Sequence, residues 1–168
     1  NIEKLMDQAV NERAWPGGVL LAAKDGNIFY QRGHGYHTYD KKNPTRSSDI
    51  FDLASITKVV STTSAIMKLQ DLNKIDINKP VVKYLPEFKG TTKKHFSQKS
   101  TITIKDLLAH VSGLPPFKKY YETEKTKTSL LKSIYDTDPI YDNRDTTIYS
   151  YIGAIILGQI VVKVSGLT

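Results

Sequence analysis

Residues Ile152 to Val164 form an almost unbroken apolar stretch, interrupted only by Gln159 and Lys163. A helix that is apolar nearly all round has to be enclosed by other elements. At this length it cannot cross a bilayer, and no other apolar run in the chain comes near the length of a span. The chain therefore needs a packed interior built around a buried helix, and 168 residues can supply one.

The remaining pattern supplies the partners. Ile2, Leu5, Met6, Ala9 and Val10 recur at helical spacing, which predicts an amphipathic helix over residues 2 to 14, stopped by Trp15-Pro16-Gly17-Gly18. Val19–Ala23 and Ile28–Gln31 flank Lys24-Asp25-Gly26-Asn27, a hairpin turn signal. Gly33 to Thr45 reads as a loop whose His34 and His37 lack the acidic or third histidine partner that a metal site needs. Thr103 with Asp106 forms a capping box for a helix over Ile104–His110, and Gly113-Leu114-Pro115-Pro116 ends it. Leu130, Leu131 and Ile134 mark the inward face of a further short helix over residues 129 to 136.

Formal charge is +7, with much of the excess in Lys89–Lys99 and Lys118–Lys127. Both runs read as solvated loops, the first as polar and mobile. Neither carries a recognition-helix or RNP-type pattern, so nucleic acid is not the expected partner. The chain has no cysteine, which excludes disulfides, thiolate metal sites and a cysteine nucleophile.

Chemistry concentrates in Phe51-Asp52-Leu53-Ala54-Ser55-Ile56-Thr57-Lys58-Val59-Val60. A strand-like approach runs into Ser55, and an apolar-striped helix follows to about Leu72. Three residues apart on a helix, Ser55 and Lys58 share a face within hydrogen-bond reach, near the positive end of the helix dipole. Bracketing apolar residues are expected to desolvate the lysine, which could then activate the serine. The spacing alone is weak, since a chain this long holds about one S-x-x-K by chance. A second copy, Ser129–Lys132, follows a polar run and reads as a helix N-cap with its lysine in solvent.

Several separate segments resemble the serine β-lactamase and penicillin-binding superfamily, particularly its class C β-lactamase, DD-peptidase and family VIII esterase branch. They are Phe51–Val60, Asp76–Val81 with Tyr84–Phe88, Thr103–Pro115, and Tyr149-Ser150-Tyr151-Ile152-Gly153 followed by Leu157-Gly158 and Val164-Ser165-Gly166. The resemblance covers nearly the whole chain, in order. It implies an α/β (α+β) β-lactamase/transpeptidase-like fold: an antiparallel sheet flanked by helices, plus a helical domain. By that resemblance Ser55 is the nucleophile, Lys58 assists its deprotonation, Tyr149 shares proton transfer, and the Ser55 N–H supplies half of an oxyanion hole. His110 and Ser112 belong to a structural helix-turn signature. No metal or organic cofactor is implied.

Three departures from the family pattern stand out. Tyr151 stands where the family usually carries Asn or Asp, at a substrate-binding position, and a phenol cannot reproduce the donor–acceptor pair of an amide. That disfavours β-lactams and peptides relative to smaller esters. Asp142-Asn143-Arg144-Asp145 also replaces a common Pro-Gly turn. The family's third motif, K-T-G or H-x-G, is absent, and Lys163–Gly166 falls at a helix end instead. Residues 1–168 thus resemble the N-terminal part of one such domain. Its remainder is expected as a further stretch, a separate piece or a partner, and a fused domain stays open. The expectation is a serine hydrolase, acting through an acyl-serine on an ester, a β-lactam or a D-Ala-type peptide, with a small-molecule or peptidoglycan-derived substrate and an extracytoplasmic or periplasmic setting. The rivals are a non-hydrolysing penicillin-binding or inactive module, and a binder of nucleic acid or anionic polymer.

Overall fold

A computed structural model describes residues 2–167; Asn1 and Thr168, the two ends of the expected domain span, lie outside the described residues. The chain folds as two compact units that meet in sequence at Asp52 and Leu53.

In the first unit, helix α1 (Ile2–Asn11) precedes strands β1 (Gly17–Lys24) and β2 (Asn27–Gly35). The strands pair antiparallel from Gly17↔Gly35 to Lys24↔Asn27, with a bulge between Ala22 and Ala23. Asp25 has a φ of 50° and Gly26 a φ of 78°. Positive φ at both central residues is what a two-residue type I′ hairpin requires. β2 runs on into the segment expected to be loop, as far as Gly35, because the following residues fold back against it. Thr45 N–H donates to the Gly35 carbonyl at 2.9 Å. At Gly33 a Cβ would stand 2.3 Å from the Thr45 carbonyl oxygen, so only glycine admits that approach.

The histidines differ from the sequence expectation for the same reason. His34 is buried on β2 and bonds through Nδ1 to Asp7 Oδ1 and through Nε2 to the Tyr30 hydroxyl, each at 2.8 Å. His37 bonds to Asp49 Oδ2 at 2.8 Å. Their acidic partners are distant in sequence and are brought up by the fold. No group of three or more metal-ligating side chains occurs among the described residues.

The second unit is helical. A helical turn at Ile56–Thr57 leads into a π-helical stretch (Lys58–Thr63) and helix α2 (Ser64–Asp71). There follow a 3₁₀ turn (Val81–Lys83), α3 (Lys93–Lys99), α4 (Ile104–Leu108), α5 (Tyr120–Thr123), α6 (Lys127–Asp136) and α7 (Tyr151–Ser165). The core comprises Ile66 and Leu69 of α2, Val81, Leu85, Phe88, Ile102, Ile104 and Leu107, Ile134 of α6, and Ile152, Ile156, Leu157 and Ile160 of α7, among others. Each fully buried Ile or Leu contributes roughly 1.5–3 kcal/mol relative to exposure. α7 is not enclosed on all sides: Tyr151 and Ile155 are exposed while the face at positions 152, 156, 157 and 160 is covered. Ser150 caps its start and left-handed Gly166 its end.

Two local expectations are corrected here. The basic run Lys89–Lys99 is not a mobile loop: Thr92 caps α3, and Lys99 is completely buried. In the second S-x-x-K copy Thr126, not Ser129, is the N-cap. Ser129 is the third residue of α6 and closes a capping box back onto Thr126, while Lys132 lies in solvent beside Asp136.

Candidate active site

The turn that carries Ser55 is wound more tightly than an α-helix. Ile56 N–H donates to Leu53 O, Thr57 N–H to Ala54 O, and Lys58 N–H to Ser55 O, at 2.9, 3.1 and 3.0 Å. Three such i→i+3 bonds make a 3₁₀ turn, in which side chains three residues apart eclipse. Lys58 is thereby stacked over Ser55, and its Nζ donates to Ser55 Oγ at 3.3 Å. Ala54, just before the serine, takes a left-handed φ of 43°. That conformation costs an alanine roughly 1–2 kcal/mol. Strain of this kind collects where a turn is shaped for function. The approach at Phe51–Leu53 is irregular rather than a strand.

Beyond Lys58 the helix widens into its π-helical stretch. Thr63 Oγ1 donates to Lys58 O at 3.0 Å and Ser64 Oγ to Val59 O at 3.2 Å. The wide turn shifts the register, so that Ile66 and Leu69 face the core while Ile56, Val59 and Val60 are each more than half exposed. The apolar residues around Ser55 therefore do not cover Lys58. Aromatic rings do. Lys58 Nζ lies 4.3 Å from the Tyr151 ring centroid. It lies 5.5 Å from the Tyr149 ring centroid. At both distances a ring face attracts an ammonium group.

Both tyrosines reach the site through Ser150. The Ser150 backbone is extended, with φ -112° and ψ 119°. Successive side chains on such a backbone point to opposite sides. Ser150 points inward and is buried. Its Oγ donates to Pro115 O at 2.8 Å and accepts the Gly153 N–H at 3.1 Å. Tyr149 and Tyr151 point outward, their rings edge to face at 5.6 Å. A hydrogen bond with Ser55 is the main influence holding the Tyr149 phenol below the ordinary tyrosine range, with the Lys58 hydrogen bond and charge adding to it.

His110 fixes this segment from behind. Its Nδ1 accepts the Ser150 N–H at 3.1 Å, its carbonyl accepts the Ile148 N–H at 2.9 Å, and its ring centroid packs 4.6 Å from that of Tyr149. Burial, and then the Lys58 charge, lower the imidazole pKa, which keeps Nδ1 free of a proton and able to accept. Through these contacts the residue supports the segment that carries Tyr149. Arg144 holds the other end of the loop. From a left-handed backbone (φ 71°) its N–H donates to Val111 O at 2.7 Å. Its guanidinium grips Asp106 through Nε (2.9 Å) and Nη2 (2.7 Å). Asp106 is also the capping-box residue of α4, so this one carboxylate ties the Asp142–Asp145 segment to the helix-turn signature.

The four residues singled out from sequence, Ser55, Lys58, Tyr149 and Tyr151, stand together on one exposed face. Two more rings join them that the sequence reading passed over: Phe117, 6.0 Å from Tyr151, and Tyr121, 6.4 Å from Phe117. Their signal was an aromatic pair four residues apart directly after Pro115-Pro116, hidden inside a basic run. Ser129 and Lys132 take no part. Lys163 pairs with Glu87 at 2.7 Å at the far end of α7, as a surface ion pair and not as a sheet motif.

The S-x-x-K turn and Tyr149 both stand on the helical unit, and comparison with known proteins gives the family to which they belong. The β-lactamase family profile matches residues 2–168, and the chain belongs to the β-lactamase family. An N-acetylmuramyl-L-alanine amidase of Bacillus subtilis (strain 168) is 35% identical over 168 residues, covering 90% of this chain and 38% of that protein. The solved structure of FmtA from Staphylococcus aureus is 26% identical with a TM-score of 0.75, covering 98% of this chain and 44% of that one. A class C β-lactamase shares the fold at a TM-score of 0.82 and 23% identity, over 99% of this chain and 44% of the other. The chain thus spans less than half the length of these relatives.

Proposed function

We propose that this protein is a serine hydrolase that works through an acyl-serine intermediate. One observation carries the reading: Ser55 Oγ lies 3.3 Å from Lys58 Nζ, which lies 5.5 Å from the Tyr149 ring centroid, and Ser55 and Lys58 together hold the Tyr149 phenol below the ordinary tyrosine range. Lys58 donates to Oγ, so the proton of Ser55 has to leave toward the other partner. The Tyr149 oxygen, held toward its phenolate by Ser55 and the Lys58 ammonium, is the acceptor. Oγ then bonds to the substrate carbonyl carbon, and the oxyanion is met by the Ser55 N–H. Tyr149 returns the proton to the leaving group as the carbon–heteroatom bond breaks. Water, deprotonated by the same phenolate, attacks the acyl-serine, releases the acid and restores Ser55.

Esters are the substrate class the site favours among ester, β-lactam and D-Ala-type peptide, because Tyr151 presents a ring where an amide would bind the acyl-side peptide group. A peptidoglycan-derived substrate, and with it an extracytoplasmic setting, draws support from the relative named for N-acetylmuramyl-L-alanine. No helix among the described residues is long and apolar enough to cross a membrane. A second reading, a penicillin-binding pocket that acylates without turning over, draws on the same Tyr151 ring lying over Lys58. Intact-protein mass spectrometry after exposure to a fluorophosphonate and to a penicillin decides between them. A single adduct lost in Ser55→Ala supports the acyl-serine mechanism. A penicillin adduct that persists for hours supports the second reading, and no adduct with either probe overturns both.

A further inference from the structure

We infer that Tyr151, Phe117 and Tyr121 form an aromatic strip, leading away from Ser55, that receives the ring of an aryl-acyl substrate. The placement of the reacting carbonyl rests on the hydrolase reading above; the recognition of a ring does not. Four rings run in sequence from the nucleophile outward. Tyr149 and Tyr151 stand at 88° and 5.6 Å, Tyr151 and Phe117 at 73° and 6.0 Å, and Phe117 and Tyr121 at 39° and 6.4 Å. Each of these residues is between four-tenths and two-thirds exposed.

Edge-to-face neighbours leave ring faces open, and an incoming aromatic ring can complete offset or T-shaped contacts with more than one of them. The polarity of the strip points the same way. Its own polar atoms are phenol hydroxyls, which cannot copy the paired donor and acceptor with which an amide side chain reads a peptide. One face of Tyr151 is already turned to Lys58, so the strip begins at the group that hydrogen-bonds Ser55. A carbonyl held at Ser55 would have its acyl substituent, one or two bonds away, beside Tyr151 and Phe117. The exposed residues nearest Ser55 in sequence, Ile56, Val59 and Val60, are aliphatic and offer no such contacts.

The test reads binding first, so that it does not depend on turnover. Full-length protein carrying Ser55→Ala is titrated with ethyl phenylacetate, ethyl cyclohexylacetate and ethyl acetate, followed by ligand-observed saturation-transfer NMR. The phenyl ester is expected to bind about fivefold more tightly than the cyclohexyl ester of similar bulk, with the strongest transfer at its ring protons. Phe117→Ala and Tyr151→Asn, each added to Ser55→Ala, should weaken the phenyl ester about tenfold and remove that preference. Equal affinity for the phenyl and cyclohexyl esters, or a preference that survives both substitutions, overturns the inference. So does absence of binding with a lowered melting temperature in Phe117→Ala, which would identify the strip as a packing face. The fluorophosphonate adduct on unmodified protein judges the hydrolase reading separately. An adduct without ring preference leaves the hydrolase standing and removes the strip; ring preference without an adduct does the reverse.

Discussion

Lys58 and Lys99 each lie over an aromatic ring, and they stand in opposite settings. Lys99 is completely buried. Its Nζ donates to Lys89 O (2.8 Å) and Tyr135 O (2.6 Å), sits 4.5 Å from the Phe88 ring centroid, and has Asp138 at 4.0 Å. Burial lowers its pKa to about 8, against the opposing pull of Asp138 and Asp136. Lys58 is only half-buried on an open face, yet a serine hydroxyl and two phenols surround it. Lys99 donates to main-chain carbonyls and joins α3 to the Lys89 turn and the end of α6. A perturbed pKa marks a candidate site only when a reacting partner stands beside it.

Exchanging the two ammonium groups for apolar tips separates these settings most sharply. Lys58→Met is expected to lower kcat/KM for an activated ester by about 10³, within the range for a lost proton-transfer partner. Its melting temperature should stay within about 3 °C of the unmodified protein, as for a surface substitution. Tyr149→Phe should fall in the same range and also remove the ionisation that sets the acid side of the pH–rate profile. Because the phenol is held below its ordinary value of 10.0, that limb should lie below pH 10.0. Equal losses of activity in Lys58→Met and Lys99→Met would break the comparison.

Lys99 predicts a pH effect of its own. Its folded pKa is depressed, so the unfolded chain binds the extra proton between about pH 8 and the ordinary lysine value of 10.5. Stability rises with pH wherever the unfolded state holds more protons. The Lys99 contribution should therefore increase unfolding free energy as pH climbs through that window, by an amount on the order of 3 kcal/mol. Urea unfolding across that window measures it, and Lys99→Met should flatten the rise. A rise undiminished in the variant would mean that another group supplies it.

Arg144 and Asp106 supply a paired charge to set beside the two lysines. Asp106 is buried, and its carboxyl is held below the usual carboxylate range by Arg144 and the Thr103 cap, against the effect of burial. The arginine side chain is 54% exposed. Arg144→Ala should therefore destabilise by about 2–3 kcal/mol, at or below the low end expected for breaking a fully buried pair. The Asp106 contribution is present above the ordinary value of 3.8 and lost as pH falls through its lowered folded value. Acid unfolding followed by circular dichroism should accordingly show a weaker pH dependence in the variant.

Local chemistry was the part of this structure most legible in the sequence. The I′ turn at Asp25-Gly26 and the Thr103–Asp106 capping box each depend on neighbours within a few residues, whereas α7, expected to be enclosed nearly all round, is covered on one face only. The S-x-x-K turn and Tyr149-Ser150-Tyr151 were legible as motifs, and the fold brings the singled-out side chains to one face. Long-range pairing was not legible. Nothing near His34 in sequence announces Asp7, nor does anything near Lys99 announce the carbonyls of Lys89 and Tyr135. The same holds for the covering of Lys58, which was expected from its apolar neighbours. A 3₁₀ turn followed by a π-helical stretch rotates those neighbours outward. The task falls instead to Tyr149 and Tyr151, far along the chain.

The smallest expected effect concerns the second S-x-x-K. Ser129 Oγ bonds to the Thr126 N–H at 3.4 Å, to its hydroxyl at 3.1 Å and to its carbonyl at 3.1 Å. It also hydrogen-bonds the Glu124 carboxylate, and Lys132 pairs with Asp136 in solvent. All the partners of this serine are thus close to it in sequence, at the start of one helix. Ser129→Ala should remove half of a capping box and lower stability by about 0.5 kcal/mol, with Thr126→Ala nearer about 1 kcal/mol because the N-cap bond itself is lost. Neither should change kcat/KM for an ester or the fluorophosphonate adduct mass. The spacing S-x-x-K is identical in the two copies; only Ser55 has a phenol beside it and a left-handed residue before it. If Ser129→Ala abolished the adduct and Ser55→Ala did not, the tertiary setting of Ser55 would lose its claim to explain why one copy is reactive.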